Sequence, residues 1–336
     1  MISGHEIDLV VLWVDGADPA WLEEKARWQF SAMGNDTSSA TNRFRDWDNM
    51  RYWFRSIEKY VPWVRRIHFV TWGHTPAWLN EDHPRLHIVK HSDFIPESCL
   101  PTFSANPIEL NIHRISGLSE NFVFFNDDMF VLQALEEKFF FQKGLPCDRA
   151  IQNILLPDAS PLFGMRANDL AIVNRHFSKK ESWRKHWEKY LSPRYGGIGL
   201  YRNLVLLPWM QFSGFYDDHL PIAYCKSTFQ EIWKQEEAVL MEASHHRFRT
   251  RDDINNWVFR YWHLAQGHFK PCGNRGFFME LDSLNAVQKA AQIIRQRKVP
   301  LLCLNDYNPH IEFETAKSII NSAFDVILPE KSSFER

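Results

Sequence analysis

Long hydrophobic runs are absent from this sequence of 336 residues. No segment reaches the roughly 18 uninterrupted apolar residues that a membrane-spanning helix needs. Near the start, His5, Glu6 and Asp8 precede an apolar run that is also too short for the core of a secretory signal peptide. We therefore expect a soluble chain whose contact with any membrane is at most peripheral.

Cysteine is scarce, and neither sign of charge predominates. The five cysteines are scattered without a CxxC pair, which argues against a disulfide framework and against a zinc site. With 39 basic and 41 acidic residues the formal net charge is -2, so nucleic acid is not an expected partner. The sequence also lacks GxxxxGKS/T, HExxH and GxSxG, which argues against a P-loop NTPase, a zincin and an α/β-hydrolase.

Aromatic residues, in contrast, are abundant. They make up 15% of the chain and include 14 Trp and 26 Phe. Buried rings in the core are the ordinary explanation of such a number. We expect some of the rings to line a sugar site.

The amino-terminal part alternates between strand and helix patterns. Residues 7–14 form an apolar, β-branched run that stops at Asp15-Gly16, as a buried parallel strand would. Apolar residues at helical spacing predict a helix that Asp46 caps and Pro62 ends. Strands are further predicted at 67–71, 86–89 and 121–126, with a helix at about 107–115. This alternation favours an α/β fold with a mostly parallel sheet.

The pattern loosens after about residue 140. The segments SPRYGGIGLYRN and LVLLPWMQFSGF predict loops around the sheet. Regular structure resumes with a helix near residue 228, a second helix that Thr250 and Asp253 open as a capping box and Gly267 ends, a third at 283–298, and a short strand at 301–304. We divide the chain into 1–140, the first half of the α/β domain; 141–215, a less regular insertion; and 216–336, a helical part with the second half.

Acidic residues follow three of the predicted strands. Asp15, the pair Asp127-Asp128 and Asp306 each come directly after, or close to, the end of an apolar run. In open α/β sheets ligands bind at the carboxyl ends of strands. Adjacent carboxylates repel unless a cation relieves them, and hard oxygen ligands suit Mg²⁺ or Mn²⁺. Asp127-Asp128 is therefore the predicted metal site, with two acids in an exposed turn as the alternative.

Basic groups near the predicted helices are candidates for proton transfer and anion binding. His219 lies between Asp217-Asp218 and Leu220, where the flanking acids would raise its pKa and orient its ring. Arg247 and Arg249 precede a predicted helix, at a place suited to a phosphate. The run at 175–190 mixes basic and aromatic residues. This pattern predicts a helix that faces a membrane or an anionic glycan, and the alternative is a helix face in contact with solvent.

Four blocks of the sequence resemble the Stealth family of sugar-phosphate transferases, which includes bacterial capsule hexose-1-phosphate transferases and the lysosomal-targeting GlcNAc-1-phosphotransferase. IDLVVLWVDGADPAWL (7–22) is similar to its first conserved region. The long second region resembles 45–79, PRLHIVKH and 100–130, the last of which contains FNDDMF. DDHLPIAYCKSTFQEIW with HRFRTRDDINNWVFRYW (217–262) resembles the third, and LCLND (302–306) the short fourth.

The resemblance implies transfer of a sugar-1-phosphate from a UDP-sugar to a hydroxyl of a glycan or lipid-linked glycan, with release of UMP. It implies a Rossmann-like (GT-A-like) α/β sheet flanked by helices. From the small size and the lack of a membrane or secretory segment we expect a bacterial cytoplasmic enzyme that works near the inner membrane. The insertion at 141–215 would then face the acceptor or the membrane.

Site residues are carried over by position within these blocks. Asp128, His219 and Arg249 are the expected catalytic residues. His219 is expected to act as base or to position the acceptor hydroxyl, and Arg249 is expected to clamp the phosphate, with Arg247 as the alternative clamp. Asp127, Asp128 and Asp306 are expected to hold Mg²⁺ or Mn²⁺. Residues expected to bind the donor are Asp15, Gly16, Arg45, Asp48, Arg51, Asn111, Arg114, Arg247 and Asn305.

Two other functions use the same features. A metal-dependent glycosyltransferase would employ the carboxylate pair and the nucleotide sugar, but would attack the anomeric carbon and release UDP. A non-catalytic glycan-binding protein would use the aromatic rings as stacking platforms. This function would leave the acids at the strand ends unexplained.

Overall fold

The computed structural model describes residues 6–31, 45–158, 161–306, 308 and 310–336. His5, one of the polar residues before the first strand, lies outside these ranges. In the described part, ten helices and eleven strands form. The strands are β1 (Ile7–Leu12), β2 (Ile67–Thr71), β3 (Leu86–Lys90), β4 (Asn121–Phe125), β5 (Met129–Val131), β6 (Phe141–Gln142), β7 (Leu145–Asp148), β8 (Ile222–Cys225), β9 (Lys270–Pro271), β10 (Gly276–Glu280) and β11 (Leu301–Asn305).

In the described ranges, ten α-helices lie between or after these strands. They are α1 (Pro19–Ser31), α2 (Met50–Tyr60), α3 (Ala105–Asn111), α4 (Pro161–His176), α5 (Lys179–Tyr190), α6 (Gly196–Val205), α7 (Lys226–Ser244), α8 (Trp257–Gln266), α9 (Leu284–Gln296) and α10 (Phe313–Ile327). None of these helices is both long enough and apolar enough to cross a membrane.

The main sheet confirms the predicted α/β fold. Its strand order is β3-β2-β1-β4-β8; the first four strands are parallel, and β8 runs antiparallel at the edge. Strand β1 is buried on both faces, with Leu9 and Val11 in one core and Val10 in the other. Burial on both sides explains why this strand is a continuous apolar run rather than an alternating one.

A second sheet of order β10-β11-β5 adjoins the first. Strand β11 pairs parallel to β10 and antiparallel to β5, which follows β4 after the turn at Asn126, Asp127 and Asp128. The argument from the carboxyl ends of strands in one open sheet assumed that the strand before Asp306 belongs to the main sheet. That strand, β11, instead belongs to the second sheet. Asp306 comes near Asp128 because the Leu304 backbone N–H donates to the Asp128 carbonyl at 2.9 Å.

Two predicted helix caps differ from the structure. Asn49, not Asp46, occupies the N-cap of α2, and the Asp46 carboxylate accepts instead from the Asp48 N–H at 2.7 Å. Thr250 donates to Asp253 at 2.8 Å, yet α8 begins only at Trp257. The fully buried Asp253 also accepts from the Asn106 side chain at 2.6 Å, so it holds a tertiary contact instead of a helix end.

The stretch at 141–215 contains more helix than its composition suggests. The glycine-rich GGIGLYRN forms helix α6 where loops are predicted, and α4 and α5 precede it. Packing explains the glycine at position 199, because a Cβ there would lie 2.8 Å from the Tyr195 Cβ and 3.0 Å from the Ile151 side chain. The glycine thus permits close packing of the helix, which outweighs its low helix propensity.

Candidate active site

A cavity of about 1320 Å³ lies where the carboxyl ends of β1 and β4 meet the second sheet. Its lining includes Trp13 after β1, Asn126 after β4, and Phe278 and Asn305 of the second sheet. The volume exceeds the roughly 300–1,000 Å³ of ordinary small-molecule pockets. The cavity therefore has room for two substrates side by side.

The turn between β4 and β5 places two carboxylates in this cavity. Asp127 and Asp128 both line it. Desolvation inside the cavity and the neighbouring Asp128 carboxylate raise the pKa of Asp127 to about 7. The repulsion predicted from the sequence is thus present in the structure.

His219 meets Asp128 across the cavity, with Nε2 and Oδ2 3.8 Å apart. Burial alone would lower the pKa of His219, but the Asp128 carboxylate outweighs it and raises that pKa. The flanking acids do not act on the ring as predicted, because Asp217 pairs with Arg260 at 2.6 Å and Asp218 pairs with Arg149. His219 has φ +47°, a left-handed conformation that is uncommon for residues with a side chain.

Asp306 lines the same cavity but is engaged by its neighbours. Its Oδ2 accepts from Trp47 Nε1 at 3.2 Å and lies 3.4 Å from Arg45 Nε. Burial raises the pKa of Asp306, and the Arg45 cation opposes that rise. Arg45 and Asn305 also line the cavity. This corner therefore carries a cation beside an acid, well suited to holding a polar substrate group in place.

Glu109 was missed by the sequence reasoning. It lies on α3, is buried, and lines the cavity together with Arg249. Burial raises the pKa of Glu109, and the Arg249 cation opposes that rise. The available signal is that α3, Ala105–Asn111, carries no other charged residue, so a single acid stands between the apolar Ile108 and Leu110.

Two arginines of the lining were also missed. Arg149 follows β7 and pairs with Asp218, and its guanidinium lies 5.4 Å from the ring of Tyr216. Arg166 of α4 lies 3.6 Å from Asp217 and 4.4 Å from the ring of Trp257. Both lie within 141–215, where sequence patterns did not suggest a site.

The remaining predicted donor-binding residues lie outside the cavity lining, because other contacts occupy them. Asp15 caps its own turn by accepting from the Ala17 N–H at 2.9 Å, next to Gly16. Asp48 pairs with Arg51 at 2.8 Å. The seven residues are Asp15, Gly16, Asp48, Arg51, Asn111, Arg114 and Arg247.

Three of these seven contact residues that are outside the cavity lining. Asn111 is fully buried and donates to the Ser244 hydroxyl at 3.1 Å. Arg114 lies 4.5 Å from the ring of Trp233, and Arg247 lies 4.1 Å from that of Trp28. For Asn111 the direction of the side chain on the helix decides this outcome, since Glu109 and Asn111 are only two positions apart and face different sides of α3.

The carboxylate pair fits a hard divalent cation. Asp128 Oδ1 is buried and has no hydrogen-bond partner within the described ranges. Asp128, His219 and Cys303 offer ligand atoms within 4.8 Å of one another. Burial and the Asp128 charge raise the pKa of the Cys303 thiol, which donates to Asp128 Oδ2 at 3.3 Å. The cluster thus offers carboxylate oxygens, an imidazole nitrogen and a thiol as possible ligand atoms.

The sequence matches one family over two regions. Residues 5–29 match Stealth protein CR1, conserved region 1, and residues 43–147 match Stealth protein CR2, conserved region 2. Among curated proteins, the chain is 38% identical to a capsular polysaccharide phosphotransferase WcwK of Streptococcus pneumoniae, over 100% of both chains. It is 37% identical to the exopolysaccharide phosphotransferase cps2G of Lactiplantibacillus plantarum, over 98% of this chain and 96% of the other.

Solved structures show only a remote likeness. The galactosyltransferase LgtC in complex with donor and acceptor sugar analogues aligns with a TM-score of 0.37 and 9% identity, over 94% of this chain and 95% of the other. An active-site mutant of LgtC aligns with a TM-score of 0.40 and 10% identity over the same shares.

Proposed function

Since the chain belongs to the Stealth family, we propose that it transfers a sugar-1-phosphate from a UDP-sugar to a hydroxyl of a glycan acceptor and releases UMP. The curated relatives are named phosphotransferases of capsular polysaccharides and exopolysaccharides. The chain is accordingly a transferase, and the product we propose is a phosphodiester within a bacterial cell-surface polysaccharide.

The observation that carries this proposal is the pairing of His219 with Asp128 inside the cavity. His219 Nε2 lies 3.8 Å from Asp128 Oδ2, and both residues line the large cavity. A histidine whose pKa is raised by a carboxylate is suited to accept a proton near neutral pH and to be stabilised once charged. A glycan-binding protein would have no use for this arrangement.

In the proposed reaction the acceptor hydroxyl oxygen attacks the β-phosphorus of the donor. A bond forms between that oxygen and the phosphorus, and the bond from the phosphorus to the bridging oxygen of UMP breaks. The hydroxyl proton passes to a ring nitrogen of His219, and the Asp128 carboxylate stabilises the resulting imidazolium.

Charge that develops on the phosphoryl oxygens needs positive partners. We assign Arg249 as the phosphate clamp and Glu109 as the nearby acid whose charge acts on its guanidinium. Arg45 and Asn305, beside Asp306, are assigned to the donor. A bound Mg²⁺ or Mn²⁺, held by Asp127 and Asp128 with Asp306 nearby, would supply further stabilisation of the diphosphate charge.

The acceptor is proposed to be a glycan, free or linked to lipid. Several rings line the cavity and offer stacking surfaces for sugars. The Phe278 ring stands edge-on to His219, with centroids 5.4 Å apart, so a sugar stacked on Phe278 would lie next to the proposed base. Rings of the lining include those of Trp13, Trp47, Phe248, Trp257, Phe277 and Phe278.

Identification of the released nucleotide tests this function. The purified protein is incubated with UDP-sugars, Mg²⁺ or Mn²⁺ and candidate glycans, and the nucleotides are separated by chromatography. We expect UMP, and we expect its release to stop when a chelator is added and to resume when metal is returned in excess. Release of UDP would mean attack at carbon and would overturn the proposal in favour of a glycosyltransferase.

A further inference from the structure

Helix α6 presents large apolar residues to solvent. Ile198, Tyr201 and Leu204 are 77%, 68% and 52% exposed, and they follow one another at helical spacing. The face that is buried carries Gly199 and Asn203 instead. The ordinary distribution of a surface helix, apolar inside and polar outside, is reversed here.

The reversal is built into the fold, because the buried face of α6 is firmly held. The Asn203 side chain donates to the carbonyls of Ala150 and Tyr190 at 2.9 and 2.6 Å. Its side-chain oxygen accepts from the Gln152 N–H at 2.6 Å. A rotation of the helix that buried Ile198 would break all three bonds. These bonds therefore hold the apolar face of α6 toward solvent.

The segment after α6 extends the same apolar character. Leu207, Trp209 and Met210 are exposed, with Trp209 at 52% and Met210 at 84%. Backbone bonds from Leu207 to Leu204 and from Trp209 to Leu206 continue the turns of the helix. We call Ile198, Tyr201, Leu204, Leu207, Trp209 and Met210 the apolar surface.

Within the stretch of chain that carries the apolar surface, the charged residues are all basic. No acidic residue occurs between Glu188 and Asp217, whereas Arg194 and Arg202 lie within that stretch. Helix α5, which contacts the end of α6 through the bond from Lys179 to the Leu206 carbonyl, carries the exposed bases Lys180, Arg184 and Lys185 and also the exposed acids Glu181 and Glu188. Apolar side chains with Trp and Tyr among basic residues are what an anionic lipid surface attracts.

The apolar surface also lies beside the cavity. Tyr216 is exposed and lines the cavity, and the guanidinium of Arg202 on α6 lies 5.5 Å from its ring. Arg149, another lining residue, contacts the same ring. A bilayer on the apolar surface would therefore bring lipid headgroups near the cavity.

We propose that the apolar surface docks onto a membrane that contains anionic lipids and so turns the cavity toward a lipid-linked acceptor. The docking rests on exposure and charge, whereas the orientation toward an acceptor rests on the function proposed above. A partner of this kind explains why six large apolar side chains are held outward at the surface, since monomeric soluble proteins rarely expose such groups together.

Vesicle co-sedimentation of the full chain tests the docking. The probes are vesicles of phosphatidylcholine alone and of phosphatidylcholine with phosphatidylglycerol. We expect binding to the mixed vesicles that weakens with salt, and we expect the double variant W209S/M210S to bind at least about tenfold more weakly. Arg194→Gln should reduce binding to the mixed vesicles only.

Val326→Ser is the matched control. Val326 of α10 is likewise exposed, and it lies outside both the apolar surface and the cavity lining. This variant should bind vesicles like the unaltered protein. All variants should keep their melting temperature, because the substituted side chains are exposed, and they should release UMP at the unaltered rate with a water-soluble acceptor.

Three outcomes would overturn the docking: no binding to either vesicle, equal binding of W209S/M210S, or a protein dimer in solution that this double variant dissociates. The last outcome would make the apolar surface an interface between copies. Vesicle binding without UMP release would contradict the proposed function and leave the docking intact. Conversely, UMP release without vesicle binding would leave the function intact and overturn the docking.

Discussion

Asp128 uses its two carboxylate oxygens for different purposes. Oδ2 faces His219 and accepts from the Cys303 thiol, whereas Oδ1 is buried without a hydrogen-bond partner among the described residues. One side chain thus serves both the proposed base and the proposed cation. This double use makes Asp128 the residue on which the proposed chemistry depends most directly.

Asp128→Asn should lower kcat at least about 100-fold, because the amide carries no charge to stabilise His219 or a cation. Asn has the same shape, so the melting temperature should change little. Steady-state rates of UMP release and a thermal melt measure the two effects. Asp48→Asn is the matched control: Asp48 pairs with Arg51 outside the cavity, and its variant should keep its activity. An unchanged kcat for Asp128→Asn would remove Asp128 from the mechanism.

Glu109 tests the part of the site that only the structure revealed. We expect Glu109→Gln to lower kcat about tenfold or more with a smaller change in KM, because the carboxylate acts on Arg249 rather than on the donor in its ground state. Glu120→Gln, at an exposed position bonded to Ser227, is the control and should be neutral. A purely structural role for Glu109 would instead lower the melting temperature and leave kcat of the folded fraction unchanged.

At the scale of elements, the site depends on two sheets that share the turn after β4. Strand β4 belongs to the main sheet, and β5, which follows within four residues of its end, pairs with β11 of the second sheet. Asp127 and Asp128 lie in the turn that connects the two sheets, and Asp306 follows β11. The close approach of β10 to β11 maintains this second sheet, and Gly276 begins β10.

Gly276→Ala should destabilise the protein by about 2 kcal/mol or more, since a Cβ there would lie 2.1 Å from the Leu301 carbonyl oxygen. Urea unfolding followed by circular dichroism measures the change. Gly197→Ala is the matched control, because nothing lies within 4 Å of a Cβ at that position of α6. The control should be neutral or slightly stabilising. Equal stability of the two variants would show that β10 and β11 separate without cost.

At the scale of the whole molecule, the cavity and a buried ion-pair cluster around Asp8 lie at opposite ends of the parallel strands. The cavity adjoins the carboxyl ends of the parallel strands. At the amino end of β1, the fully buried Asp8 accepts from Arg65 Nε at 2.8 Å and from the Ser119 N–H at 2.8 Å, and it lies 3.0 Å from His68 Nε2. Burial alone would raise the pKa of Asp8, but His68 and Arg65 outweigh it and lower that pKa to about 2.

Asp8→Asn should lower the free energy of unfolding by about 2 kcal/mol at pH 7 without changing kcat. Because the folded pKa lies below the ordinary value of 3.8, the contribution of Asp8 is present above about pH 4 and is lost as the pH falls toward 2. Urea titrations from pH 7 downward should therefore show the two proteins converging in acid. A gap that stays constant, or that widens, would contradict this assignment.

The sequence by itself determined the local features. Apolar runs and helical spacing predicted β1, β2, β4, α2 and the α/β class, and the order of the blocks indicated the family. These features depend on residues that are neighbours along the chain, so a single sequence is enough to predict them. Asp127-Asp128, directly after β4, is the clearest case, because the end of a buried strand and a pair of acids are both readable without a fold.

Only the tertiary structure decided which residues share the cavity. It brought Glu109, Arg149 and Arg166 to the site, and it turned Asn111 and Arg247 to other partners. It also replaced the flanking acids of His219 by Asp128, ninety-one positions earlier in the chain. The reason is physical: a side chain's direction depends on helix phase and on competing partners that are distant in sequence, and neither is expressed by the residues beside it.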